Sequence, residues 1–275
     1  TVWDSFTFWH EQAMAQAALA GREVVAGWHV FNHGGAGKKM LPGEYAAEWL
    51  SLQRDSEAFW TSLGMPQPRY IVTQTGGEAD TTNDSPGSWS VVDDQLDLVE
   101  AGCAVLGTCD YWYPIWDNQV HWDAHGTALA GETLAWAMAE VEAGRRWSIL
   151  RPRVVSHAGG VLVLSFDSLR EDEKLEVENP GKYSGEGIDA FLGFQMVGSG
   201  ATIAAVDVTG RRVSISYSGA ATGVKYARQI QDVSGYPGNK FTAHRGLLRT
   251  SLRKRSKFLS DEWLVRAIPS FTMEL

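Results

Sequence analysis

The sequence predicts a three-layer α/β domain over residues 1–146, followed by an all-β sandwich over residues 147–275. Three observations carry this. Strand-like apolar runs alternate with helical periodicity through the first half, the pattern of a parallel sheet flanked by helices. The stretch from Glu23 to Phe31 is almost continuously apolar and runs into a glycine-rich loop, as a buried parallel strand does. After Gly144 helical periodicity is scarce, and alternating runs such as Val161 to Phe166 and Arg212 to Tyr217 are separated by glycine turns, the texture of a sandwich.

Each element has its local chemistry. Residues 5–20, rich in alanine with Phe8, Met14 and Leu19, predict a helix ended by Gly21. Residues 23–31 predict the first strand, and Asn32 to Gly37 a loop at its carboxyl end. A helix over 43–63 places Tyr45, Trp49, Leu52, Phe59 and Trp60 on one face, and Pro66 and Pro68 punctuate its end. Strands are predicted at 69–74 and 103–107, and helices at 90–101 and 124–143. Residues 75–90 form a long polar loop, a common home of function. The boundary between the two domains falls near 144–152.

Bulk composition narrows the function classes. At 275 residues, two domains is the natural division at roughly 100–200 residues each. The formal net charge of −9 argues against a general nucleic-acid binder, which carries a basic face. The one basic stretch, Arg249 to Lys257, reads as a solvated face or interface. No apolar run approaches the ~18 residues of a membrane helix. Cys103 and Cys109 bracket an apolar run, and an extended chain holds them too far apart to pair. Glu78, Asp80 and Asp84 lack the spacing of a calcium loop and read as solvated. No metal or cofactor is implied.

In α/β sheets the active site lies at the carboxyl ends of the strands. Here those ends lead to His33-Gly34-Gly35, to Gln74 through Glu78, and to Asp117 and His121. Ester hydrolysis by a serine needs a histidine base, a carboxylate to fix its tautomer, and N–H donors for the oxyanion. Asp117 and His121, four residues apart in one loop, are the candidate pair. Trp112, Trp116 and Trp122 cluster around them, among 12 tryptophans in the chain. They serve either as core anchors or as a sugar-stacking platform. His10, His29, His125, His157 and His244 have no partner in the sequence pattern and read as structural.

The stretch from Val91 to Met138 resembles the closing part of the sialate-O-acetylesterase-like branch of the SGNH (GDSL-like) hydrolases. The matching residues are Asp94-Gln95, Ala104-Val105-Leu106, Asp117, Val120-His121, Gly126 and Gly131-Glu132. Upstream, Trp28 to Phe31, His33-Gly34-Gly35, Tyr45, Arg54 and Val72-Thr73-Gln74 are similar to earlier parts of that branch. Val224 to Ala227 and Arg245 to Ser251 are similar to its C-terminal part. The resemblance implies a flavodoxin-like domain, His121 as base and Asp117 as its orienting carboxylate. His33, Gly34 and Gln74 would stand around the oxyanion and substrate.

The chain also departs from that pattern. His33 stands at the family's oxyanion glutamine and Gly35 at its glutamate. The nucleophile block belongs on a strand upstream of residues 23–31, so the α/β domain is expected to be incomplete on its N-terminal side. Three readings are open. The chain is the C-terminal portion of a longer polypeptide; or it is a reduced hydrolase fold kept for binding; or Trp3-Asp4-Ser5 is a worn first block with Ser5 as nucleophile. The resemblance implies an O-acetylesterase acting on a polysaccharide or glycan, outside the cell. The rival is a non-catalytic virion or surface component, such as a phage tail or fibre protein, that keeps the fold. A homo-oligomer or larger assembly is expected, with neither nucleic acid nor membrane as partner.

Overall fold

The computed structural model describes residues 2–25, 27–33, 40–76, 86–113, 122–178, 191–228, 232–234, 240–242 and 246–275. The first half runs α1 (Val2–Leu19), β1 (Trp28–Phe31), α2 (Glu44–Ser62), β2 (Arg69–Gln74), α3 (Pro86–Glu100), β3 (Val105–Cys109) and α4 (Ala124–Glu142). The three strands form one parallel sheet in the order β1-β2-β3, with Trp28 opposite Arg69 and Ile71 opposite Val105.

The helices end where the sequence lets them. Glycine at position 43 has φ 85°, and the Asp94 carboxylate, reaching across from α3, accepts the N–H groups of Gly43 and Ala46 at 2.9 and 3.2 Å. A carboxylate at this position satisfies orphan amides and complements the helix dipole. Buried Tyr45, Trp49, Ser56 and Trp60 mark the inner face of α2. Leu52, expected on that face, is exposed. Helix α3 begins at Pro86, four residues before the expected start, since proline is well suited to a first helical turn. It closes with Gly102 at φ 76° and Cys103 N–H donating to the Leu98 carbonyl at 2.9 Å, a Schellman-type stop. That stop consumes residues 103 and 104 and moves β3 two residues later than expected.

Two expectations differ from the observed structure. The strand expected at 23–31 is reduced to four residues and is half-exposed, because among the described residues β1 is the outer strand of the sheet and pairs on one side only. Ser5 lies within helix α1, so Val2-Trp3 does not form a strand ending in a nucleophile turn.

After Glu142 come the strands β4 (Arg153–Ala158), β5 (Val161–Ser165), β6 (Leu175–Val177), β7 (Phe194–Val197), β8 (Thr202–Thr209), β9 (Arg212–Ser218), β10 (Gly223–Tyr226), β11 (Asp232–Ser234), β12 (Lys240–Thr242), β13 (Leu248–Arg255), β14 (Trp263–Ala267) and β15 (Phe271–Glu274). All their pairings are antiparallel, in the orders β4-β5-β9-β8, β15-β10-β7, β14-β13-β6 and β11-β12.

One apolar cluster runs through both halves. Leu96, Tyr111, Trp112 and Ala130 pack in it with Leu164, Phe194, Tyr226 and Phe271. Polar ties cross the same junction. Trp147 Nε1 donates to the Gly107 carbonyl at 3.0 Å, and Leu106 N–H donates to Ser148 Oγ at 3.1 Å. The buried Arg266 guanidinium bonds Glu173 and the Trp147 carbonyl and lies over the Trp147 ring. Of the basic stretch, Arg249 is paired to Glu176 and Glu178.

Candidate functional site

The three parallel strands end along one edge, and hydrogen bonds gather the segments beyond them. Gln95, fully buried in α3, donates from Nε2 to the His33 carbonyl at 2.7 Å and accepts the Thr75 N–H at 2.8 Å. The carboxyl ends of β1 and β2 are thereby tied to one side chain. His33 is exposed, stacks on Tyr45 with the rings 15° from parallel, and lines a groove of about 480 Å³ with Phe31, Met40 and Trp49.

Gln74 behaves otherwise than expected. It is buried, and its amide is spent on the Ser270 backbone and the Val92 carbonyl. It holds the fold together rather than facing a substrate.

Asp110, directly after β3, carries no mark in the sequence pattern. Its Oδ1 is sealed from solvent and has no hydrogen-bond partner among the described residues. Burial pushes the carboxyl up to about 7, opposed by the Gly76 N–H that bonds it. A carboxylic acid this close to half-titration, at the strand ends of a parallel sheet, is a candidate for proton handling. Beside it the Cys109 thiol and Tyr113 phenol are driven well above their ordinary ranges by burial.

A second depression, of about 290 Å³, lies between α4 and the start of β14, lined by Trp112, Tyr113, His125, Thr133, Glu262 and Trp263, among others. Trp112 is buried and forms wall rather than open platform. Trp122 is half-buried and meets Tyr113 edge-on at 5.4 Å. Tyr113 OH lies 2.5 Å from Thr108 Oγ1, linking this pocket to the end of β3. His125, read from the sequence as structural, faces Glu262 at 3.3 Å. Asp123 caps α4 by accepting the Gly126 N–H.

Asp117, His121, Trp116 and Gly34 lie outside the described residues, as do Glu78, Asp80 and Asp84. The segment that carries Asp117 and His121 is bounded by Tyr113 on one side and by Trp122 and Asp123 on the other, and Tyr113 and Asp123 both line the 290 Å³ pocket. Both cysteines are free thiols. Among the described residues no His, Cys, Asp and Glu cluster is arranged to hold a metal ion, and no helix is long and apolar enough to cross a membrane.

The arrangement defines a mixed α/β protein with His33, Thr75, Gln95 and Asp110 at the carboxyl edge of a parallel sheet. No sequence-family profile matches the chain, and no curated protein matches it by sequence. The fold is nevertheless shared with a solved structure, a carbohydrate acetylesterase from Xanthomonas citri. The two superpose with a TM-score of 0.56 at 18% identity, over 93% of this chain and 51% of the other. The chain thus spans about half the length of that enzyme.

Proposed function

We propose that this chain is part of a serine-type esterase of the SGNH class that removes O-acetyl groups from a polysaccharide. The observation that supports this best is the fold likeness to a carbohydrate acetylesterase across 93% of the chain. Two features agree with it. Tyr113 and Asp123, which precede and follow the stretch with Asp117 and His121 in the sequence, line a pocket with aromatic walls. The strand order β1-β2-β3, each strand joined to the next through a helix, fits the last three strands of a five-stranded SGNH sheet.

In this mechanism His121 takes the proton from a serine hydroxyl as the oxygen attacks the acetyl carbonyl, and Asp117 holds the imidazole in the right tautomer. The Gly34 N–H and the His33 side chain stabilise the oxyanion. His121 then returns the proton to the departing sugar oxygen, and water releases acetate from the acyl-enzyme. In this reading the serine stands on a strand that precedes β1 in the fold.

His121→Ala in the intact protein is expected to abolish hydrolysis of p-nitrophenyl acetate. Activity equal to that of the parent protein would sink the assignment.

A further inference from the structure

The pocket between α4 and β14 has walls that the esterase chemistry does not require. Its volume, about 290 Å³, sits at the small end of ligand sites, which run from roughly 300 to 1,000 Å³. That is room for one ring rather than for a chain of them. It also lies at the junction of the helical and all-strand halves, where ligand sites concentrate.

Its walls are of two kinds. Trp263 presents exposed aromatic surface beside the buried walls of Trp112 and Tyr113, and His125 and Glu262 present an imidazole and a carboxylate 3.3 Å apart. Both of these side chains are a little under half exposed, so they can exchange their mutual contact for a ligand. Side by side, a carboxylate acceptor and a ring-nitrogen donor match two neighbouring hydroxyls, while the exposed aromatic surface of Trp263 matches the C–H groups of a pyranose. Asp123, the remaining carboxylate, is committed to the Gly126 N–H.

The site is also held in shape. Glu132 of α4 accepts from Ser256 Oγ and from the Lys257 N–H at 2.7 Å. Ser256 Oγ in turn accepts the Leu259 N–H at 2.9 Å, and Ser256 N–H donates to the Glu262 carbonyl at 3.0 Å. The turn that presents Glu262 is thus fastened to the helix that presents His125. The Trp263 ring is braced by the Arg253 and Arg255 guanidiniums, 4.5 and 4.2 Å from its centroid. Such support lowers the ordering cost of binding.

We propose that this pocket is a subsite for a single neutral pyranose unit of the polysaccharide, with Glu262 and His125 grasping two vicinal hydroxyls and Trp263 contacting the ring. The proposal rests on the reading of the protein as a carbohydrate esterase, but its test does not use catalysis. Xylohexaose, cellohexaose and hexa-N-acetylchitohexaose are titrated calorimetrically into the full chain and into its Glu262→Gln, His125→Ala and Trp263→Phe variants. At least one oligosaccharide is expected to bind the parent protein saturably, with each variant weakening it by about tenfold or more. The Gln and Ala changes are at half-exposed positions, and unchanged thermal midpoints separate lost binding from lost folding. No binding by any of the three at millimolar concentration overturns the subsite, as does binding that the variants leave unaltered. Either outcome leaves the ester hydrolysis test to stand or fall by itself.

Discussion

Gln74, the last residue of β2, and Ser270, just before β15, exchange hydrogen bonds in both directions. Gln74 Nε2 donates to the Ser270 carbonyl at 2.9 Å, and the Ser270 N–H donates to Gln74 Oε1 at 2.7 Å. The side chain imitates a strand partner for a backbone 196 positions away and so joins the parallel sheet to the antiparallel half. Gln74→Ala leaves a buried donor and a buried acceptor unmet. It is expected to cost about 3 kcal/mol, read as a lower urea midpoint. A midpoint matching the parent's would restore Gln74 as a candidate substrate contact.

Asp93 and Arg228 form a second tie across the junction. The guanidinium meets the carboxylate through two nitrogens, at 2.9 and 2.5 Å, and lies over the Trp89 ring. Burial lowers the Arg228 pKa and Asp93 opposes that shift. Asp93→Asn strands a buried cation and is expected to destabilise by about 3–5 kcal/mol. Adding Arg228→Met to the same chain should recover much of the loss. Chemical denaturation of the two variants measures this, and a double variant no more stable than the single one contradicts it.

Asp110 gives the fold a dependence on pH. Its carboxyl is raised from an ordinary 3.8 to about 7, so the folded chain holds this proton more tightly than the unfolded chain does. The contribution to stability is full below about pH 4 and is lost as pH rises through about 7. The groups facing it, Cys109 and Tyr113, titrate far above that window. Between about pH 5 and about pH 8 the parent should therefore lose about 2–3 kcal/mol more than Asp110→Asn. Parallel stability curves for the two proteins would show that the carboxyl is not perturbed.

Local order was legible in the sequence wherever side-chain periodicity and a stop signal coincided. The second strand matches residues 69–74, and α2 and α4 fall within a residue of their expected bounds. The misses have physical causes. Apolar character over 23–31 does not reveal that only Trp28–Phe31 finds a partner strand. Pattern also says nothing of distant partners: Glu262, which gives His125 its role, is 137 positions further on (262 − 125). Asp110 carries no mark in the sequence, and the sealing of its Oδ1 from solvent is a property of packing that composition cannot express.

The Trp147 indole and the Ser148 hydroxyl occupy backbone groups along the outer side of β3. Those groups would otherwise invite another strand. The parallel sheet is therefore blocked at one margin, while at the other, beside Trp28–Phe31, no strand pairs among the described residues. A further strand, from the same polypeptide or from another, would join beside Trp28–Phe31. The sheet has a direction of growth, and self-association through its free margin would join molecules β1 to β1, in pairs rather than in fibres.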